Sequence, residues 1–132
     1  MRIVVIDGQG GRMGRAVIDI LKSEKFTAEI IAVGTNSAAT EAMLAAKPDA
    51  CATGENAVIV NSKIADYIIG PIGIVMADAL HGEISPNMAL AISQSQAKKI
   101  LLPVTKCNAT VIGTREIPFS ELLKLIPKEI EG

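Results

Sequence analysis

The chain has 132 residues, with 13 basic and 14 acidic side chains, a net charge of −1 and an apolar fraction of 49%. That length holds one domain and one core, but not a cofactor domain together with a full substrate domain. With no long run of either charge and only three aromatics (Tyr67, Phe26 and Phe119), the chain has neither the field for a phosphate backbone nor the rings for stacked bases, so nucleic acid is not expected as a partner. The apolar fraction exceeds what a monomer surface needs, which points to a homo-oligomer. No membrane span is expected either: the longest apolar run, "IIGPIGIVMADAL", is broken by Gly, Pro and Asp well short of about 20 residues. A strand starting at Arg2 leaves no room for a cleavable leader, so the expected location is the cytoplasm. Cys51 and Cys107 lack metal-ligand spacing and His81 is the single histidine, so the thiols are read as reduced and no metal site is expected.

The first element, "RIVVI", is a continuous β-branched run of the kind a parallel strand buried on both faces requires. Met13, Ala16, Val17, Ile20 and Leu21 then repeat at helical spacing. "AEIIAVG" is the second strand, followed by an Ala-rich helix capped by Asn36 or Ser37 and closed by Lys47 and Pro48. "ACAT" is a short third strand. Thr53 is placed to cap a helix over "GENAVIVNSKIA", chosen over a strand because a parallel sheet needs a crossover there. "ADYIIG" is the fourth strand. Ile72, Val75, Met76, Ala79 and Leu80 predict a helix ending at His81-Gly82, and Ser85-Pro86 opens another. "KKILLPV" is the fifth strand and "ATVIG" a sixth. Phe119, Leu122, Leu123 and Ile126 mark a last helix that starts at Pro118 and is interrupted by Pro127. This alternation predicts an α/β fold, a single-domain doubly wound Rossmann-like parallel sheet with helices on both faces, and places the ligand beyond the carboxyl ends of the strands.

Between the first strand and helix the chain reads Gly8-Gln9-Gly10-Gly11-Arg12-Met13-Gly14. One glycine would turn off the strand, another would let a pyrophosphate reach the backbone, and the last would let the helix pack closely on the sheet. Free N–H groups and the positive helix end would supply the anion site. The reading is therefore a nucleotide-binding loop for NAD or NADP. Asp7 departs from the usual pattern by putting a carboxylate near the proposed pyrophosphate: either it accepts the loop's own N–H groups or the ligand is not a pyrophosphate. The end of the second strand also lacks the acidic residue that would hold ribose hydroxyls, offering Gly34-Thr35-Asn36-Ser37 instead. Thr35 and Asn36 can cradle a ribose or a 2′-phosphate, with Arg12 or Arg15 adding charge, so NAD and NADP are equally admissible. Gly11→Asp is expected to remove binding while leaving a folded protein.

"GQGGRMGR" resembles the opening of dihydrodipicolinate reductases over about the first 20 residues, which implies a nicotinamide-nucleotide turn there. Over its whole length, with "IDGQGG", "GTN", "TGENA", "IIGPIGI", "GEISP" and "AKKILLP", the chain more closely resembles a family of short bacterial proteins known only as a domain of unknown function. That resemblance implies a Rossmann-like fold.

Gly70-Pro71-Ile72-Gly73, after the fourth strand, sits where such folds cover a nicotinamide or ribose, or is simply a rigid turn. Thr105-Lys106-Cys107-Asn108 would reach the same crevice. His81 is read as closing a helix and Glu55 as complementing a helix dipole, while Glu83 has the chemistry of a general base without a visible partner. The leading reading is an NAD(P)-binding protein, an NAD(P)-dependent oxidoreductase if it is an enzyme. The rivals are a non-enzymatic nucleotide-sensing or assembly module using the same site, and a subunit whose glycine loop is closed by its own side chains.

Overall fold

Strands β1 (Arg2–Asp7), β2 (Glu29–Gly34) and β4 (Tyr67–Pro71) are buried along almost their whole length, which a strand reaches only when helices cover both faces of its sheet. The computed structural model, which describes residues 1–104, 109–114 and 116–130, adds β3 (Ala50–Thr53) and β5 (Lys98–Leu102) as the edges. All pairs are parallel, in the order β3-β2-β1-β4-β5. This is the doubly wound, Rossmann-like order expected.

Side chains alternate across β1, so Ile3 and Val5 face one core and Val4 and Ile6 the other. The first core is closed by Val17, Ile18 and Leu21 of α1 (Arg12–Ser23), Met43 of α2 (Ser37–Leu44), and Ile126 and Ile130 just after α5 (Phe119–Leu125). The second is closed by Val58 of α3 (Glu55–Ile64) and by Met88 and Ile92 of α4 (Pro86–Gln94). Each full burial is worth about 1.5–3 kcal/mol, so the four fully buried residues of β1 anchor both layers.

Several expectations are corrected. The stripe from Ile72 to Leu80 does not form a helix: a single 3₁₀ turn at Ile72–Val75 is followed by turns. Asp78, Leu80 and His81 take left-handed backbone (φ 65°, 56° and 57°), which no continuous right-handed helix contains. His81 therefore lies in a turn and closes no helix. On α1 the fully buried stripe includes Ile18, while Met13, Ala16 and Ile20 are half-buried. Gly54, not Thr53, caps α3, with φ of 101°. Described residues 109–113 form no sixth strand. Thr105, Lys106, Cys107 and Asn108 lie outside the described residues.

β1 leads to β2 and β3 on one side and β4 leads to β5 on the other, so the strand order reverses between β1 and β4. The crevice beyond their carboxyl ends is the site the fold provides.

Candidate functional site

The loop from β1 to α1 turns at Gly8–Gly11, where the Gly11 N–H donates to the Gly8 carbonyl at 3.0 Å. Gln9 and Gly11 adopt φ of 49° and 72°. What surrounds each glycine separates the roles the motif assigns them. A Cβ on Gly14 would strike Met43 Sδ and lie 2.9 Å from Asp7 Cβ, so Gly14 brings α1 down onto the end of β1 as expected. A Cβ on Gly11 would lie 2.5 Å from the Ala39 carbonyl oxygen: the close approach here is made by α2, not by a ligand. Above Gly8, the place reserved for a pyrophosphate holds Thr35 Oγ1 and Glu83 Oε1, 2.7 and 3.0 Å from where a Cβ would sit. Of the four glycines in this loop, only Gly10 would put a Cβ into open space, with nothing within 4 Å.

Asp7, the last residue of β1, is 5% exposed and faces the loop. Its Oδ1 accepts the Gly8 N–H at 2.8 Å and its Oδ2 the Gly14 N–H at 2.7 Å. The second bond satisfies one of the donors that a helix start leaves open, so a carboxylate seven residues upstream does the work of an N-cap. Burial raises the Asp7 pKa above its ordinary value, the bonds from Gly14 and Gly8 pull it down, and the charge of Glu83 adds to the rise.

Glu83 arrives from the turns after β4. Its Oε1 accepts the Gln9 N–H at 2.9 Å, the Thr35 hydroxyl at 2.7 Å and the Asn36 side-chain amide at 2.7 Å. Asn36 is engaged further: its Oδ1 caps α2 by accepting the Ala39 N–H at 2.8 Å, and its Nδ2 also donates to the Gln9 carbonyl at 3.1 Å. Desolvation pushes the Glu83 pKa up, but the bonds from Thr35, Gln9 and Asn36 outweigh it, with His81 adding a coulombic pull, so the net shift is downward. The sign for stability follows. Unfolded Glu83 keeps its proton up to the ordinary 4.5, so the seated carboxylate stabilises the fold above that pH, and the gain is lost as pH falls through the lower folded pKa. Glu83→Gln is expected to flatten the acid limb of a Tm-against-pH curve. An unchanged limb in a folded variant contradicts this.

On the other side of the crevice, Gly70 lies so close to β1 that a Cβ would strike the Ile6 carbonyl oxygen. Gly70 and Pro71 are buried within β4 and Gly73 is buried in the turn after it, which leaves Ile72 as the member of that expected segment at a cavity wall. Ile72, Pro103, Ala109, Thr110, Val111 and Thr114 line a cavity of about 170 Å³. A second, of about 640 Å³, shares Pro103 and Thr114 and extends toward Pro118 and Leu122. Arg12 and Arg15 are exposed, and among the described residues neither makes an ion pair. Met13 packs against the core, so only its backbone is available to the crevice.

The structure thus gathers Gly8, Gln9, Gly11, Gly14, Thr35 and Asn36 into one closed network, leaves Gly10, Arg12 and the Met13 N–H at an open helix start, and sets Ile72 at a separate wall. The residue sequence reasoning missed in this role is Glu83. Its partners lie 47, 48 and 74 positions away, and nothing local marks it.

No curated protein matches the chain. Among solved structures, a dodecameric FMN-dependent Ubix-like decarboxylase from Escherichia coli O157:H7 is similar at 20% identity and a TM-score of 0.50, covering 97% of this chain and 76% of that one. That likeness is one of fold, and the neighbour is a flavin-dependent decarboxylase rather than a dihydrodipicolinate reductase. Residues 2–131 match the family described as Domain of unknown function (DUF3842), so the chain belongs to that family, as the whole-length resemblance implied.

Proposed function

We propose that the protein binds a nucleotide carrying a single phosphate, of the flavin mononucleotide type, rather than the dinucleotides NAD or NADP. The observation that carries this reading is the seat of Glu83 on Gln9, Thr35 and Asn36. It closes the β2 side of the crevice, where an adenosine ribose and its phosphate would lie, while the side beyond β4 and β5 holds the two adjoining cavities. With Gly8 and Gly14 donating to Asp7, the first turn of α1 offers the N–H groups of Arg12 and Met13, together with that of Gly10 and the Arg12 and Arg15 guanidiniums, to one anion. Ile72, Pro103 and Val111 supply apolar walls for a ring system, and Thr110 and Thr114 supply hydroxyls. The FMN dependence of the similar decarboxylase agrees with this ligand class. The flavin, when bound, would supply redox or group-transfer chemistry, and these residues would bind and orient it.

The test is the melting temperature against FMN, riboflavin, NAD and NADP. A ligand at 100 times its Kd adds about 2.7 kcal/mol, a rise of roughly 8–12 °C for this length. FMN is expected to raise Tm, riboflavin less so, and NAD and NADP not at all. No shift with millimolar FMN sinks the reading. Gly10→Asp is the matched variant, since its Cβ enters open space and its carboxylate repels a phosphate. Gly11→Asp does not serve as expected, because its side chain would run into the Ala39 backbone.

A second reading, an assembly module, is favoured by Val60 and Ile64 of α3 and Leu90 of α4, exposed at 47%, 43% and 53%. Leu90 also lines a groove between the two helices, together with Ile59 and Ala91. Such a face suits a homo-oligomer contact, and sedimentation of wild type beside Leu90→Glu tests it. A monomer in both samples excludes it.

A further inference from the structure

Thr35, Asn36 and Gln9 lie at the end of β2, the cap of α2 and the β1–α1 turn, and they converge on one oxygen of a side chain from a fourth segment. A hydroxyl, an amide and a turn N–H meeting at one point is the donor set that recognises a phosphate oxygen. Here the anion they hold belongs to the chain itself. The segment delivering it is firmly built: the Asp78 N–H donates to the Ile84 carbonyl at 2.7 Å and the Glu83 N–H to the Leu80 carbonyl at 3.2 Å. The left-handed backbone at Asp78, Leu80 and His81 is costly for residues other than glycine. Leu80 completes the cover, its Cδ1 lying 3.0 Å from where a Cβ on Gly8 would be.

We propose that Glu83 is a resident anion that sets the ligand specificity of the crevice, its carboxylate standing where the second phosphate of a diphosphate ligand would bind. While it is seated, a diphosphate meets donors already engaged and a like charge beside them. A monophosphate on the far side of the turn needs none of these donors. The identity of the admitted ligand rests on the mononucleotide reading above; the exclusion rests on the seat of Glu83 alone.

Full-length wild type, Glu83→Ala and Glu83→Gln are titrated with ADP and separately with FMN by calorimetry. Glu83→Ala is expected to bind ADP about tenfold tighter than wild type or better. Glu83→Gln, which keeps an acceptor oxygen but no charge, is expected to fall between them. FMN affinity should stay within about threefold in both variants. The proposal is overturned if the variants, with far-UV spectra matching wild type, bind ADP no better than it does, or if wild type already binds ADP as tightly as Glu83→Ala. Should Glu83→Ala lose its fold, Glu83→Gln decides by the same comparison. Failure of FMN to bind wild type refutes the mononucleotide reading and leaves the ADP arm to judge Glu83.

Discussion

Gly11→Ala is expected to lower Tm by about 10 °C, whereas Gly10→Ala, one position earlier, leaves it within about 2 °C. At Gly11 a Cβ would fall 2.5, 2.8 and 3.0 Å from the carbonyl oxygen, Cα and carbonyl carbon of Ala39. All three are backbone atoms of α2, so no side chain can swing aside. The φ of 72° adds a left-handed cost of about 1–2 kcal/mol for any residue with a Cβ, and forced separation of packed elements adds about 1–3 kcal/mol. Together they give about 3 kcal/mol. At Gly10 neither cost arises. Parallel thermal melts of the two variants check the pair. Similar melting temperatures would mean that α2 does not press on this turn.

Asp7→Ala is expected to cost about 2–3 kcal/mol, because the Gly8 and Gly14 N–H groups lose their acceptor at about 1–3 kcal/mol each, partly offset by no longer burying a carboxylate. The urea midpoint should fall accordingly. Asp7→Asn, which keeps one acceptor oxygen and removes the charge, should lose about half as much. The pH response separates the two effects. The folded pKa of Asp7 lies above the ordinary 3.8, so unfolded chains deprotonate first, and wild-type stability from this residue is full below 3.8 and lost as pH rises through the folded pKa. Asp7→Asn should lack that fall. A variant that keeps it would assign the fall to another group.

The fold was legible because doubly buried parallel strands have to be apolar throughout, and "IVVI", "IIAV" and "YII" are. Asn36 and Ser85-Pro86 likewise announce their helices through local capping chemistry, which short-range sequence carries well. The stretch from Ile72 to Leu80 misled because a 3₁₀ turn and the turns after it send its apolar residues inward without a helix: Ile74 and Ala79 are buried in the core and Val75, Met76 and Leu80 pack against it. Left-handed backbone at Leu80 leaves no trace in its residue type, and at Asp78 and His81 only the weak one that these types adopt it more readily than most. The glycine turn was legible as a turn. What fills it was half legible, since Asp7 stands beside the glycines it serves. Glu83 was not, because a carboxylate 74 positions from Gln9 is brought there by the topology alone.

That long reach gives the molecule a built-in reporter. The Gln9 amide is shielded by a side chain from a remote segment rather than by a neighbouring strand, so deuterium can replace its proton whenever that segment lifts, without the sheet unfolding. One backbone resonance therefore counts how often the crevice uncovers, and the slower exchange of amides within β1, such as that of Val5, gives the global rate beside it.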